Sequence, residues 1–449
     1  MPVIHSADIS AYPVPVKNPE RLRLALSHEF VELYRGDKDL RIGKLLCQRY
    51  GAEIVHFGTD IASPADSRIF KDKYFPAKHI GHLPDSYYLL LMKSRMIFHR
   101  RGNISLGGFF RYTPGLAREV IRWKPDLILE NPYLTLTPRS YMTALAAYRL
   151  FIPLVYIDCG DIMPKLTLKH KLVMPFEKMI ARRAAAVITY NEAGKRRFID
   201  KYRLNPDLIR VIPKPVDIER FNSRIDGSKI RDRYRLRDKL VVSYFGRLST
   251  NKGAKYLLDA AAVLRSAPSS EKFVFMFVGG NLESDQAVAF NDHFRRLRLD
   301  NVAVTGMIPN VDMPQYYAAS DIAVFPDVTN LPGFSTVLAE SMASGLPIII
   351  GIGGWESAVP LKDGETALII PPRRPDLIAD RLRMLACRPE LRRRLSENVM
   401  DYVRNNMSYD RVTERYYELF CELLDKPVGN AAGMKRNDKY PERQISTCR

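Results

Sequence analysis

Residues 326–348 read Pro-Asp-Val-Thr-Asn-Leu-Pro-Gly-Phe-Ser-Thr-Val-Leu-Ala-Glu-Ser-Met-Ala-Ser-Gly-Leu-Pro-Ile, and this stretch decides the fold class. An apolar run at 322–325 comes directly before it and predicts a buried strand of a parallel sheet. Proline, asparagine and glycine then interrupt regular structure. Ser335 or Thr336 can cap a new helix, and the apolar run at 347–350 follows that helix at once. The pattern predicts a strand–helix–strand unit and therefore an α/β fold.

The start of the helix in this unit is suited to binding an anion. Its first backbone N–H groups have no partners within the helix and face the carboxyl edge of the sheet, which attracts phosphate. Glu340 lies about one turn further along the helix, where a carboxylate can hold a pair of sugar hydroxyl groups. Phosphate together with a diol indicates a nucleotide ligand.

The length and the charge of the chain limit the number of domains and the kinds of partner to expect. At 449 residues it is too long for one ordinary core, so we expect two domains of roughly 200 residues each. The formal net charge of +19 indicates an anionic partner: nucleic acid, an acidic membrane surface or a phosphorylated substrate. The basic residues are not gathered in one arm and no nucleic-acid-binding signature is evident, so we expect no nucleic acid partner. Residues 1–20 lack the apolar core of a secretory signal and the five cysteines are scattered, which predicts a cytoplasmic protein.

The N-terminal half also has the pattern of a parallel sheet. Its apolar runs predict strands at 22–26, 53–57, 126–130, 153–157 and 184–189. Two further stretches, 93–122 and 165–184, mix lysine and arginine with aromatic and aliphatic residues. Such stretches fit a surface that rests on acidic lipid. The alternative is ordinary helices with a solvated basic face.

A second motif, Phe-Gly-Arg-Leu-Ser-Thr-Asn-Lys-Gly at 245–253, joins a predicted strand to a predicted helix. Gly246 lets the chain leave the strand sharply, and Gly253 lets the helix start close to a ligand. Arg247 offers a planar fork for two phosphate oxygens, and Lys252 adds a mobile positive charge. The spacing differs from that of a nucleoside-triphosphate P-loop. Two cations around a tight loop indicate a diphosphate, whereas the alternative is a surface turn that happens to carry them.

With both motifs in hand, the C-terminal half resembles the nucleotide-binding domain of the family-4 retaining glycosyltransferases. Beyond the motif at 245–253, the matches are Phe-Val-Gly-Gly at 277–280, Gly306 after its strand, and Gly333-Phe334 six residues before Glu340. Ile-Pro-Lys-Pro-Val-Asp-Ile-Glu-Arg-Phe at 212–221 is similar to the family's linker, usually Ile-Pro-Asn-Gly-Val-Asp-x-x-x-Phe. The resemblance covers 180–425 well and 20–180 weakly.

The resemblance implies the GT-B fold, an α/β architecture of two facing Rossmann-like domains with parallel sheets. It implies an acceptor-binding domain at 1–213 and a nucleotide-sugar-binding domain at 214–401. A helix at 402–425 would cross back onto the N-terminal domain. The basic tail at 426–449 is predicted to be disordered.

Carried over residue by residue, the resemblance assigns a donor site to the second domain. Arg247 and Lys252, in the loop that begins at Gly246, would bind the diphosphate, and Glu340 would hold the ribose hydroxyl groups. The remaining donor-binding residues would present backbone groups to phosphate and sugar or line the base pocket; they are Gly333, Phe334, Ser335, Gly306 and Ile308. Such enzymes need no metal and no cofactor, because the cations and the helix dipole neutralise the leaving group.

Two positions remain open. The family usually has two glutamates eight positions apart, and Pro332 stands where the first would contact the donor sugar; Asp327 or Asn330 could substitute for it. In the N-terminal half the resemblance suggests Asp161, and secondly Asp158, as the carboxylate that orients or deprotonates the acceptor. The alternative for either aspartate is a helix cap.

We therefore expect a metal-independent retaining glycosyltransferase that moves a hexosyl unit from a nucleotide-diphosphate sugar to a lipid-linked or polysaccharide acceptor. It would lie in the cytoplasm, peripherally on the inner face of the membrane. The alternatives are a soluble transferase with a small-molecule acceptor and a nucleotide-sugar-binding scaffold without turnover.

Overall fold

The computed structural model describes residues 4–5, 13–28, 38–59, 82–96, 111–131, 138–158, 168–265, 272–280, 282, 284–328, 335–352 and 361–425. Contacts within the chain separate two compact units. The described residues up to Pro213 and those from Asp410 onward form the first unit, and Lys214–Tyr409 form the second.

The first unit contains a parallel sheet of eight strands in the order β1-β4-β3-β2-β7-β8-β9-β10, and a two-stranded antiparallel pair, β5-β6. The strands are β1 (Ile4–His5), β2 (Arg23–His28), β3 (Glu53–Thr59), β4 (Tyr87–Met92), β5 (Arg95–Met96), β6 (Arg111–Tyr112), β7 (Leu127–Asn131), β8 (Leu154–Ile157), β9 (Ala186–Thr189) and β10 (Ile209–Val211). The described residues of this part form the helices α1 (Lys38–Tyr50), α2 (Leu116–Trp123), α3 (Pro138–Leu150), α4 (Leu168–Ala181) and α5 (Glu192–Tyr202).

The core of the first unit explains why its strands read as continuous apolar runs. All the residues of β4, β7, β8 and β9 are buried, as expected for parallel strands with helices on both faces. Val120 and Trp123 of α2 belong to the same core. The described part of the 93–122 stretch therefore includes a helix that packs on the sheet, and residues 97–110 lie outside the described part of the chain.

The second unit contains a parallel sheet of six strands in the order β13-β12-β11-β14-β15-β16. The strands are β11 (Leu240–Phe245), β12 (Phe273–Val278), β13 (Val302–Gly306), β14 (Ile322–Phe325), β15 (Ile348–Gly351) and β16 (Leu368–Ile370). The helices are α6 (Ser228–Arg233), α7 (Ala254–Arg265), α8 (Asp285–Leu297), α9 (Met313–Ala318), α10 (Thr336–Ala343), α11 (Pro375–Cys387) and α12 (Pro389–Asn406). The expected strand–helix–strand unit is present as β14, α10 and β15.

The last helix, α13 (Tyr409–Asp425), packs within the first unit. Arg49 pairs with Asp410 at 2.8 Å, and the rings of Tyr50 and Tyr417 stack with their centroids 4.0 Å apart. At the far end, Glu422 accepts a hydrogen bond of 2.9 Å from Arg210.

The prediction that this helix starts at residue 402 is wrong. Residues 402–406 belong to α12, and the chain is interrupted before Tyr409. The backbone N–H of Val216 donates to the carbonyl of Met407 at 2.8 Å, and Val216 forms a parallel bridge with Ser408. Met407 has φ of −122° and ψ of −2°, outside the helical range, and the pairing of Met407 and Ser408 with Val216 separates the two helices.

Candidate functional site

The order of the strands fixes where a ligand would bind in the second unit. The chain runs from β11 to β12 and β13 on one side, and from β14 to β15 and β16 on the other. The direction therefore changes between β11 and β14, and ligands of open α/β sheets bind beyond the carboxyl ends of the strands at such a point. Both sequence motifs follow these two strands.

The loop after β11 is fixed by backbone contacts. Gly246 has φ of 140° and its N–H donates to the carbonyl of Val278 at 3.0 Å. The buried Tyr244 donates its hydroxyl to the carbonyl of Arg247 at 2.5 Å. The Arg247 side chain is exposed, so the loop presents a guanidinium group at the edge of the sheet from a rigid base.

The loop after β14 packs directly on the turn that carries Lys252. A Cβ on Gly253, which has φ of 68°, would overlap the carbonyl of Pro326. The N–H of Val328 donates to the carbonyl of Asn251 at 3.1 Å. The two motifs are therefore one structure, and glycine is needed at position 253 both for its φ and for this close approach.

Lys252 has an acidic partner that the sequence motifs do not contain. Its ammonium group lies 3.2 Å from a carboxylate oxygen of Asp327. Burial raises the pKa of Asp327, although the charge and the hydrogen bond of Lys252 oppose this. The other oxygen of Asp327 is buried and has no hydrogen-bond partner among the described residues. Asp327, one of the two residues considered as substitutes for the missing glutamate, thus contacts Lys252, a candidate for binding the diphosphate.

Helix α10 begins as predicted at this edge of the sheet. Ser335 is its N-cap with extended backbone angles, and its side chain makes no capping hydrogen bond. Lys214, from the segment that resembles the family linker, donates to the hydroxyl oxygen of Thr336 at 2.6 Å. Lys214 was not predicted as a site residue. The signal was present, because lysine replaces the asparagine that is usual in the linker.

Glu340 is buried in the first turns of α10. The hydroxyl of Tyr317 donates to its Oε2 at 2.7 Å. Burial raises the pKa of Glu340 to about 7, against the opposing effects of the Tyr317 hydrogen bond and of the positive charges of Arg220 and Lys214. Sequence analysis identified the carboxylate but missed these three neighbours.

Gly306 and Ile308 lie at the end of β13 and in the loop that follows it. The carbonyl of Gly306 accepts from the N–H of Gly279 at 2.9 Å, and a Cβ on Gly279 would lie only 3.0 Å from the carbonyl of Gly246. On its other side, the loop accepts a hydrogen bond from Arg220 to the carbonyl of Asn310. Gly306 is therefore connected to the first motif through Gly279. The 308–310 segment is held by Arg220, whose charge also acts on Glu340. Gly333 and Phe334 lie outside the described residues, as do Asn330 and Pro332.

The structure describes one of the two aspartates predicted to face the acceptor. Asp158 is buried at the end of β8 and pairs with Arg197. Asp161 lies outside the described residues.

A further polar group lies where the direction changes in the first sheet, between β2 and β7. The buried Asp39 accepts from Lys38 at 2.7 Å and from Asn131 at 2.5 Å. Burial would raise its pKa, but the charges of Lys38 and His28 and these hydrogen bonds hold the pKa below its usual value.

Comparison with known proteins places this geometry in a family. Residues 239–387 match the family described as Glycosyl transferases group 1, and residues 85–220 match Glycosyltransferase Family 4. The chain is 27% identical over 270 residues to a D-inositol 3-phosphate glycosyltransferase of Thermomonospora curvata, covering 58% of this chain and 62% of the relative. It is 24% identical over 270 residues to the capsular polysaccharide biosynthesis glycosyltransferase CapM of Staphylococcus aureus, covering 58% of this chain and 68% of the relative. The match thus spans about three-fifths to two-thirds of these curated relatives.

The fold is shared with a solved structure over almost the whole chain. The crystal structure of Anabaena Alr3699/HepE in complex with UDP superimposes with a TM-score of 0.67 at 20% identity. The alignment covers 90% of this chain and all of that one.

Proposed function

Because the chain belongs to the family-4 glycosyltransferases of group 1 and has their GT-B fold, we propose that it moves a hexosyl unit from a nucleotide-diphosphate sugar to an acceptor hydroxyl group. The observation that carries this proposal is the contact between two loops. Gly253 lies against Pro326, so the turn that bears Lys252 is held beside the loop that leads into α10. Lys252 and the start of α10 would thereby lie at the same edge of the sheet.

The proposed donor site suits a departing nucleoside diphosphate. The bond between C1 of the sugar and the diphosphate oxygen breaks, and the acceptor oxygen bonds to C1 as it loses its proton. Arg247, Lys252 and the positive end of α10 would stabilise the negative charge that the leaving group gains. We accordingly propose a reaction without metal or cofactor, and with retention of configuration as in the family that the motifs resemble.

Glu340 would hold the ribose of the donor. Its Oε2 already accepts from Tyr317, which orients the carboxyl group. Two ribose hydroxyl groups are donors that favour the ionised carboxylate, so nucleotide binding would lower the pKa that burial raises to about 7. The backbone of Ser335 and the 306–308 segment would complete the phosphate and base contacts, together with Gly333 and Phe334.

The contact to the donor sugar is the part of the site that differs most from the usual pattern of the family. Pro332 offers no carboxylate, whereas Asp327 is a described acid that pairs with Lys252. When a diphosphate draws the Lys252 ammonium toward itself, the Asp327 carboxylate would become available to a sugar hydroxyl group. We propose Asp327 in this role.

The acceptor is proposed to be a lipid-linked or polysaccharide hydroxyl group at the inner face of the membrane. The name of the CapM relative supports a polysaccharide, and the net charge of +19 supports an anionic surface. The D-inositol 3-phosphate glycosyltransferase relative favours the second candidate, a soluble transferase with a small-molecule acceptor. Since Asp158 is engaged by Arg197, Asp161 is the better candidate for the carboxylate that faces the acceptor.

Donor binding and turnover can be tested separately. Thermal unfolding is measured with UDP-, GDP- and dTDP-sugars, and nucleotide release is then assayed with the donors that stabilise the protein. Lys252→Gln should weaken binding of the active donor about tenfold or more, whereas Lys255→Gln, on the exposed face of α7, should not. If none of the nucleotide sugars stabilises the protein, the proposal is wrong. Stabilisation without any release of nucleotide, with or without candidate acceptors, would favour the non-catalytic scaffold.

A further inference from the structure

The first unit exposes large apolar side chains on two neighbouring helices. Five of its seven exposed large apolar residues in the described part of the chain lie on or directly after α3 and α4, and each is between 47% and 56% exposed. We call them the apolar patch: Leu145, Tyr148, Phe151, Phe176 and Met179.

The members of the apolar patch lie on or directly after two helices that contact each other. Leu145 and Tyr148 lie three residues apart on α3, and Phe176 and Met179 do so on α4, so each pair shares one helix face. The ring of Phe151 lies 6.3 Å from that of Tyr148. Arg183, directly after α4, places its guanidinium 5.6 Å from the centre of the Tyr148 ring. This contact joins the end of α4 to α3.

The described charges that are exposed or half-buried on α3, on α4 and in the two residues after α4 are positive. Helix α3 contains no acidic residue. The acid of α4, Glu177, is buried and pairs with Lys201 at 2.7 Å. The basic side chains beside the patch are exposed or half-buried; they are Arg149, Lys178, Arg182 and Arg183.

We infer that the apolar patch and these four basic residues form a surface that docks on a bilayer containing anionic lipid. Apolar and aromatic side chains enter the boundary between headgroups and acyl chains, while arginine and lysine contact the lipid phosphates. Anionic headgroups carry one sign of charge over their whole surface and therefore match a rim of uniformly positive side chains. This favours a membrane over a protein partner, whose surface would have to supply a matching acidic region. None of the described helices is long and apolar enough to cross a bilayer. The inference rests on the proposed function in one respect, since a lipid-linked acceptor is the reason for docking.

Vesicle sedimentation tests the surface directly. The full chain is incubated with phosphatidylcholine vesicles and with vesicles that contain phosphatidylglycerol as well. We expect binding to the anionic vesicles only. Phe176→Ser with Met179→Ser should weaken this binding about tenfold or more, and Arg182→Glu with Arg183→Glu should weaken it by a similar factor. The matched control is Val263→Ser with Val288→Ser, which removes apolar residues of 43% and 49% exposure from the second unit and should leave binding unchanged.

Two measurements separate the possible failures. Binding of UDP, GDP and dTDP in solution should be the same in the wild-type chain and in all these variants. If the wild-type chain binds none of these nucleotides, the proposed function is refuted, but the docking surface is not. Failure of the wild-type chain to bind anionic vesicles, or equal losses in the patch and control variants, would overturn the inference. A wild-type dimer in analytical ultracentrifugation that Phe176→Ser with Met179→Ser makes monomeric would also overturn it, because the surface would then contact a second copy of the chain.

Discussion

The buried carboxyl group of Glu340 should make the stability of the second unit depend on pH. Burial raises its pKa to about 7, from an ordinary value of 4.5. Below pH 4.5 the group is protonated in both the folded and the unfolded chain. Between pH 4.5 and about 7 the folded chain keeps a proton that the unfolded chain has released, so the free energy of unfolding falls as the pH rises. Above about pH 7 the full penalty, about 3 kcal/mol, is present.

Glu340→Gln removes this penalty and keeps an oxygen that accepts from Tyr317. Relative to the wild-type chain, the variant should gain almost nothing at pH 4 and about 3 kcal/mol at pH 8. For a unit of about 200 residues this corresponds to roughly 6–12 °C in the unfolding temperature. Calorimetry at pH 4, 6 and 8 measures the difference. Glu397→Gln, an exposed position on α12, is the control and should behave as wild type throughout.

A difference between Glu340→Gln and wild type that is the same at all three pH values would refute the reasoning, because an effect of packing alone does not titrate. The proposed function predicts a second result for the same variant. The variant should bind nucleosides more weakly, while the protein without added nucleoside becomes more stable. Stability and binding would then change in opposite directions, as expected when a buried charge is kept for its ligand.

The remaining predictions concern the two loops and the linker. Gly253→Ala should destabilise the second unit by about 3 kcal/mol or more in chemical denaturation, because its Cβ would meet backbone; Gly364→Ala, with a similar φ of 73° and nothing within 4 Å, should cost about 1 kcal/mol. A similar loss in both variants would contradict the close approach. Lys214→Met should weaken UDP binding about tenfold and uridine binding by a smaller factor in calorimetric titration, because uridine keeps the ribose that Glu340 would hold but lacks the diphosphate; equal losses for both ligands would indicate a purely structural lysine. Asp327→Asn should strengthen UDP binding several-fold, since it removes the negative charge beside Lys252, and unchanged affinity would show that this ion pair does not compete with the diphosphate.

The regular elements of the second unit could be predicted because their signals are local. The apolar runs at 240–245, 273–278 and 322–325 predict three strands, and β11, β12 and β14 have these bounds. Leu257, Leu258, Ala261 and Leu264 repeat at helical spacing and predict a helix at 254–264; α7 ends one residue later. Burial on both sides of a parallel sheet leaves a pattern that needs no knowledge of the partner strand.

The surroundings of the site could not be predicted, because they join distant parts of the chain. Tyr317 precedes Glu340 by 23 residues, and Arg220 comes from the linker; neither belongs to a motif that places it there. The wrong start of α13 has the same origin. The apolar spacing continues through 402–408, and only the pairing of Val216 with Met407 and Ser408 interrupts it.

The return of α13 to the first unit has a consequence for how the chain acquires its structure during synthesis. The second unit is one continuous segment, Lys214–Tyr409, but the first unit needs residues from both ends of that segment. The ribosome therefore releases a complete second unit before it releases the last helix of the first. Until then the face of the first unit that includes Tyr50 and Arg210 lacks its cover. A premature stop codon after residue 408 would leave that face permanently open, so a truncated product should aggregate or be degraded even though its nucleotide-binding segment is intact.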